Sequence, residues 1–314
     1  MNNRYTESSD IEIRDIKSEN PTSSNPVAIC CIGHITHDRV ITPSFTAEMP
    51  GGTSYYFAGA LRGLAPDMFR IVTAVGPDGE KAVEELRKAG LNVHVLPSPE
   101  SVFFENRYGE DIDSRTQRVL AKAEPFTLES LRGEEAEYFH LGTLLADDFA
   151  GDVVRELSKR GKVSLDVQGY LRRVEGEEVV HQDFEDKMDI LPFVDILKAN
   201  EVEMEVLTGS ADPYEAARIL AGWGVKEVVL TLGSKGSLIY ADGSYYEIPA
   251  YAPEAVVDAT GCGDTYMAGY LYRRSQGDSI PDAGRYAAAM CSLKLARKGP
   301  LLTTDTQVRA LLNH

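Results

Sequence analysis

The strongest constraint on how this chain can fold is an alternation along it. Apolar runs of strand length are separated by stretches of helical length. Val27-Ala28-Ile29-Cys30-Cys31-Ile32-Gly33 is apolar without interruption and closes on glycine, as a strand covered on both faces of a parallel sheet would. Residues 71–76, 138–142, 163–169, 195–200 and 225–232 repeat the pattern, and 91–96 alternates as a strand. Helices are expected over 79–89, stopped by Gly90, and over 149–160, stopped by Gly161. Parallel strands need crossovers, so the expected fold class is α/β with a mostly parallel central sheet.

Two segments break this rhythm. Residues 102–108 and 116–121 flank Gly109-Glu110-Asp111-Ile112-Asp113, a hairpin signature, and 40–49 reads as short exposed β structure. Segments at about 38–52 and 99–125 are therefore expected to form a small β-sheet lid over a crevice, unless the hairpin is only a sheet edge. A second hairpin is expected over 238–248, an Ala-rich helix over 283–297 and a last helix over 305–312. Residues 1–26 are polar and have little to bury, so they read as a disordered tail ahead of one domain at 27–314.

Composition narrows the partners. A net charge of −17 gives no basic surface for nucleic acid or an anionic membrane, although a nucleotide needs only a few local donors. No apolar run approaches the ~20 residues of a membrane span, and no signal-peptide core follows Met1, so a cytoplasmic location is the expectation. The four cysteines contain no Cys-x-x-Cys, which speaks against zinc or a disulfide framework. Adjacent Cys30 and Cys31 should point to opposite faces of their strand.

Chemistry concentrates near the C-terminus. Asp258-Ala259-Thr260-Gly261-Cys262-Gly263-Asp264-Thr265 runs into a helix expected over 264–274. A small-residue turn entering a helix leaves N–H groups unpaired, and with the positive end of the helix dipole they make an anion site. Asp264 stands at its mouth, where a carboxylate either caps the helix or takes a proton from a hydroxyl. Cys262 is read as a small turn residue rather than a reactive thiol. Further polar groups fall at strand ends, where α/β sheets bind ligands. Asp38 follows the first strand, after His34 and His37, which lack a third metal ligand nearby and read as ordinary loop histidines. Gly51 and Gly52 open a helix that begins with Thr53, Ser54, Tyr55 and Tyr56 and allow close backbone approach. Asp166, Gln168 and Arg172 gather at another strand end. Asn200 and Glu203 have capping-box spacing. Thr231-Leu232-Gly233-Ser234-Lys235-Gly236 is a small polar loop without P-loop spacing, and no Gly-x-Gly-x-x-Gly occurs.

Taken in order, these motifs resemble those of the ribokinase-like (PfkB) carbohydrate kinases over roughly residues 27–300. Asp258 to Asp264 fits that family's Asp-x-Thr-Gly-x-Gly-Asp, with Cys262 where alanine is usual. Gly51 and Gly52 match its Gly-Gly signature, Asn200 and Glu203 its Asn-x-x-Glu, and Thr231, Gly233 and Gly236 its nucleotide loop. The resemblance implies a three-layer α/β/α fold with a β lid and ATP-dependent phosphoryl transfer to a hydroxyl. It implies Asp264 as general base and the N–H groups of Gly261, Cys262 and Gly263 as anion hole. It places Mg²⁺ near Asn200 and Glu203 through water, and the nucleotide at Thr231, Gly233 and Gly236. Many members also use a monovalent cation such as K⁺, for which Asp258 and Thr260 are the matching positions. Lids in relatives sometimes pair between subunits, which would give a homodimer through the lid.

For the acceptor, Asp38 matches a position that binds sugar hydroxyls, with Gly51, Gly52, Thr53, Tyr56, Gln168 and Arg172 around it. Tyr56 stands where ribokinases carry asparagine. Gly-Gly-x-x-Tyr-Tyr together with Asp166-x-Gln168-Gly169-x-x-Arg172 is similar to the myo-inositol kinase branch. The implied order of acceptors is a cyclitol such as myo-inositol, then other sugars, then nucleosides. The rival readings are a kinase for vitamin-like alcohols and a non-catalytic sugar- or nucleotide-binding protein on the same fold.

Overall fold

The computed structural model describes residues 27–108 and 115–313, so the tail at 1–26 and the hairpin tip at 109–113 lie outside the described residues. The described strands are β1 (Val27–Gly33), β2 (Thr36–Ile41), β3 (Thr46–Gly51), β4 (Phe69–Val75), β5 (Asn92–Pro97), β6 (Phe103–Tyr108), β7 (Arg115–Ala121), β8 (Ala136–Gly142), β9 (Lys162–Asp166), β10 (Arg172–Glu175), β11 (Glu178–His181), β12 (Ile196–Asn200), β13 (Glu227–Thr231), β14 (Ser237–Ala241) and β15 (Ser244–Ile248). The helices are α1 (Thr53–Arg62), α2 (Glu80–Lys88), α3 (Gly151–Leu157), α4 (Lys187–Ile190), α5 (Glu201–Thr208), α6 (Pro213–Gly222), α7 (Cys262–Ser275), α8 (Ile280–Leu295) and α9 (Asp305–Leu312).

Nine strands form the larger sheet in the order β15-β14-β13-β12-β9-β8-β1-β4-β5. From β13 to β5 every pairing is parallel, and β14 and β15 close one edge as an antiparallel hairpin. Strand period two explains the two cores. Ile29 and Cys31 pack with residues of α1, α2, α7, α8 and α9, while Cys30 and Ile32 pack with residues of α3, α4, α5 and α6. The adjacent cysteines therefore do face opposite layers, and the architecture is the expected three-layer α/β/α sandwich.

A second sheet of six strands, in the order β10-β11-β7-β6-β2-β3, is the expected lid. It is larger than the two segments foreseen, because residues 172–181 add the hairpin β10–β11. Half of that stretch is charged and it alternates poorly, so its pairing with β7 was not legible. The lid is tied together by a buried carboxylate: Glu105 on β6 meets Arg118 of β7 at 3.2 Å and Arg39 of β2 at 3.5 Å. The strand expected over 163–169 stops at Asp166, where a 3₁₀ turn (Val167–Leu171) takes over and the Asp166 carboxylate accepts the Gln168 N–H at 3.1 Å. Of the two histidines read as loop residues, His34 does lie in the connection between β1 and β2, whereas His37 is a strand residue. His34 is buried directly after β1 beside the Ala74 carbonyl, and His37 lies within β2, stacked on Phe103 at 4.5 Å. No helix among the described residues is long and apolar enough to cross a membrane.

Candidate active site

The carboxyl ends of β9, β12 and β13 and the first turn of α7 converge on one place. Its centre is built by strand register. Lys198 of β12 lies opposite Asp166 of β9 in the parallel ladder. Leu197 and Ala199 enter one core and Ile196 the other, so alternation turns Lys198 toward the α7 layer. Its ammonium is buried, 3.0 Å from Asp166 and 3.5 Å from Glu203. A Cβ on Gly263 would come within 3.1 Å of Lys198 Nζ, which sets the ammonium against the start of α7. Burial opposes the charge, but the two carboxylates outweigh it and hold the ammonium well above its ordinary range. Lys198 was not among the candidates from the sequence. Its signal was a lysine inside an otherwise buried strand, which demands a partner.

Asp264 sits in the first turn of α7, half-buried. Burial pushes its carboxyl up to about 6, and the Asp166 charge adds to this. Lys198 and a hydrogen bond from the Thr53 hydroxyl pull the other way. The group is thus ionised at neutral pH yet close to the range where a carboxylate is a useful proton acceptor. Thr53 comes to it from the start of α1, whose N-cap is Gly52 at φ 85°. A side chain on Gly52 would meet the His34 carbonyl at 2.3 Å, so the close approach needs glycine as well as the positive φ.

The turn before α7 has no side-chain cap. Gly261 is the N-cap in the left-handed region, φ 76°. A Cβ there would lie 2.1 Å from the Tyr56 ring, so Tyr56 packs directly against the turn. Tyr56 is buried, and its phenol is held well above its ordinary range by burial and then by the charges of Asp258, Asp38 and Asp264. Cys262 donates its N–H to the Ala259 carbonyl at 3.1 Å, which leaves the flanking N–H groups of Gly261 and Gly263 as the better anion donors. Burial pushes the Cys262 thiol up to about 11, in keeping with a turn residue rather than a nucleophile.

Asn200 and Glu203 form the full capping box of α5. Glu203 N–H donates to Asn200 Oδ1 at 2.9 Å, and Asn200 N–H to Glu203 Oε2 at 2.8 Å. Asn200 Nδ2 also reaches Glu203 Oε1 at 2.7 Å. Among the described residues no three His, Cys, Asp or Glu side chains converge as a metal cage. This donor set suits a hydrated Mg²⁺ that arrives with phosphates, not one caged by protein alone.

Beside the anion turn opens a cleft of about 730 Å³. Asn200, Thr231, Gly233, Gly236, Cys262 and Gly263 line its polar end, and Tyr251, Pro253, Val256, Ala288 and Leu295 its apolar wall. Of the other candidates, Asp38, Gly51 and Arg172 lie on β2, β3 and β10 of the second sheet, and Gln168 in the 3₁₀ turn after β9. Thr36 donates its hydroxyl to Asp38 at 2.7 Å, and Gly51 leaves room for that carboxylate, since a Cβ there would meet it at 2.3 Å. Gln168 and Arg172, both half-buried, follow Asp166. Asp258 and Thr260 do not face the cleft as a pair of open ligands. Asp258 accepts the Thr260 N–H at 2.9 Å and binds Lys294 of α8 at 3.1 Å.

A helix start that lines a large cleft and carries a raised carboxyl is an arrangement suited to phosphoryl transfer. The model of the pfkB family of carbohydrate kinases matches residues 69–307. The cytidine kinase of Thermococcus kodakarensis is 32% identical over 81% of this chain and 91% of its own length. A pyrophosphate-dependent kinase in the ribokinase family, solved with a pyrophosphate analog and myo-inositol, superposes with a TM-score of 0.79 at 29% identity, covering 90% of this chain and 99% of that one. The Arabidopsis thaliana ribokinase solved with ribose and ATP shares the fold, with a TM-score of 0.75 at 22% identity over 92% of this chain and 100% of that one. The chain belongs to the pfkB family of carbohydrate kinases, within the ribokinase fold, and is a sugar or nucleoside kinase of that family.

Proposed function

We propose that this kinase transfers the γ-phosphoryl group of ATP to a hydroxyl of a cyclitol, with myo-inositol the first candidate. The observation that carries the reading is the Asp264 carboxyl at the start of α7, beside the Gly261–Gly263 turn and the cleft. Asp264 takes the proton of the acceptor hydroxyl as the new O–P bond forms and the bond to the leaving ADP breaks. The N–H groups of Gly261 and Gly263, with the α7 dipole, stabilise the charge on the transferred group, the main demand of phosphoryl transfer. Asn200 and Glu203 would hold Mg²⁺ through water, where it offsets phosphate charge. The donor assignment rests on the cleft: an apolar wall of Tyr251, Pro253, Val256 and Leu295 suits a nucleobase and is superfluous for pyrophosphate. The acceptor assignment rests on Asp38 and Gln168 as hydroxyl partners, on Tyr56 at the anion turn, and on the similarity to the kinase solved with myo-inositol.

A nucleoside acceptor is the second reading, favoured by the similarity to a cytidine kinase along nearly its whole length. One experiment separates the readings: a matrix of cyclitols, pentoses, hexoses and nucleosides against ATP and pyrophosphate, read by release of ADP or phosphate and by ³¹P NMR of the product. Turnover of a cyclitol with ATP is expected. Turnover with pyrophosphate alone overturns the donor assignment, and turnover of nucleosides alone overturns the acceptor assignment.

A further inference from the structure

The monovalent cation implied at Asp258 and Thr260 has no room to bind, because a side chain already holds that position. Lys294, on the last turn of α8, is fully buried. Its ammonium donates to the Asp258 carbonyl at 2.9 Å, to Asp258 Oδ2 at 3.1 Å and to the Arg297 carbonyl at 3.2 Å. Three N–H donors thus meet three oxygens, which exhausts the ammonium. Both oxygens of the carboxylate are engaged too. Its Oδ1 takes the Thr260 N–H at 2.9 Å, and its Oδ2 also takes the Gly299 N–H at 3.2 Å.

The shell consists of two main-chain carbonyls and a carboxylate oxygen, the ligand set a hard monovalent cation takes. An ammonium has the same charge as K⁺ and a similar size. The shell also belongs to the catalytic turn. Val257 donates its N–H to the Leu295 carbonyl at 2.7 Å, so residues 257–260 are strapped to the end of α8 just before the Gly261 cap.

We propose that Lys294 is a tethered replacement for the monovalent cation and a positioning residue for the anion turn. A buried charge in an oxygen shell holds Asp258, and through it the path of Thr260 and Gly261 into α7. The enzyme therefore does not respond to K⁺. This rests on the kinase reading of the site, but half of its test does not.

The test uses the full chain at fixed ionic strength, with KCl, NH₄Cl or choline chloride as the salt. Wild type is expected to show the same melting temperature and the same turnover in all three. In Lys294→Ala, turnover is expected to fall by about tenfold or more, one step removed from loss of an anion-hole donor. NH₄⁺ or K⁺, but not choline, is expected to restore part of the turnover and raise the variant's melting temperature. Lys294→Met, which keeps the volume and loses the charge, is the second variant should alanine prevent folding, and it is expected to lose turnover without rescue. Activation or thermal stabilisation of wild type by K⁺ over choline overturns the proposal, as does full turnover in Lys294→Met. The wild-type melting comparison needs no substrate, so it stands even if the acceptor or donor assignment fails.

Discussion

Asp264→Asn is expected to lower turnover by about 10²–10⁴-fold, the range a positioned general base supplies. Asparagine keeps the size and can still accept a hydrogen bond from Thr53, so donor binding in the cleft should survive. The same substitution should stabilise the fold. The Asp264 carboxyl is raised to about 6 from an ordinary 3.8, chiefly by burial. A raised carboxyl favours the protonated form in the folded state, so its contribution is fully present below the ordinary value and is lost as pH rises through about 6. At neutral pH the ionised group therefore costs stability, and removing the charge returns on the order of 1–3 kcal/mol. Calorimetry with an initial-rate assay checks both halves. An inactive variant that melts lower than wild type would show that the carboxylate holds the site together instead of being strained within it.

Lys198→Ala is the second large effect. It leaves Asp166 and Glu203, both buried, without the charge that faces them. Breaking a buried pair in this way costs about 3–5 kcal/mol, because the stranded carboxylate is worse off than in water. The loss should appear in denaturant midpoints with little change of slope. It should also reach Asp264, whose carboxyl Lys198 pulls down, so the variant's base should titrate higher than in wild type. A destabilisation within the scatter of surface substitutions would mean that the Lys198 cluster is hydrated and open.

Much of this site could be read in the residues because its signals are local. Gly261, Gly263 and Asp264 lie within four positions, and the helix they start follows at once. Asn200 and Glu203 declare a capping box by spacing alone, and the structure contains it in full. The parallel sheet was legible because strands buried on both faces leave unbroken apolar runs. What escaped depends on contacts distant in sequence. Lys198 acquires meaning only when β9 brings Asp166 alongside it. Lys294, in an Ala-rich helix, resembles a solvent-facing lysine until the loop at Asp258 folds over it, 36 residues away in sequence. Half of the β10–β11 hairpin is charged, and its place in the lid comes from pairing with β7. Asp258 was legible as part of the motif, but its partner was not, and the partner decides what Asp258 can bind.

The central claim is that Asp264 is the base, and the pH dependence of kcat/KM tests it most directly, since that ratio reports groups of the free enzyme. The base must be ionised to accept a proton, so kcat/KM is expected to be level at neutral pH. It should fall on the acid side with a midpoint near 6, tenfold per pH unit below it. In the Lys198→Ala enzyme the midpoint should move up, and in Asp264→Asn the residual activity should lose this limb. A wild-type profile that stays level through pH 6, or an Asp264→Asn enzyme that keeps the same acid limb, would contradict the assignment.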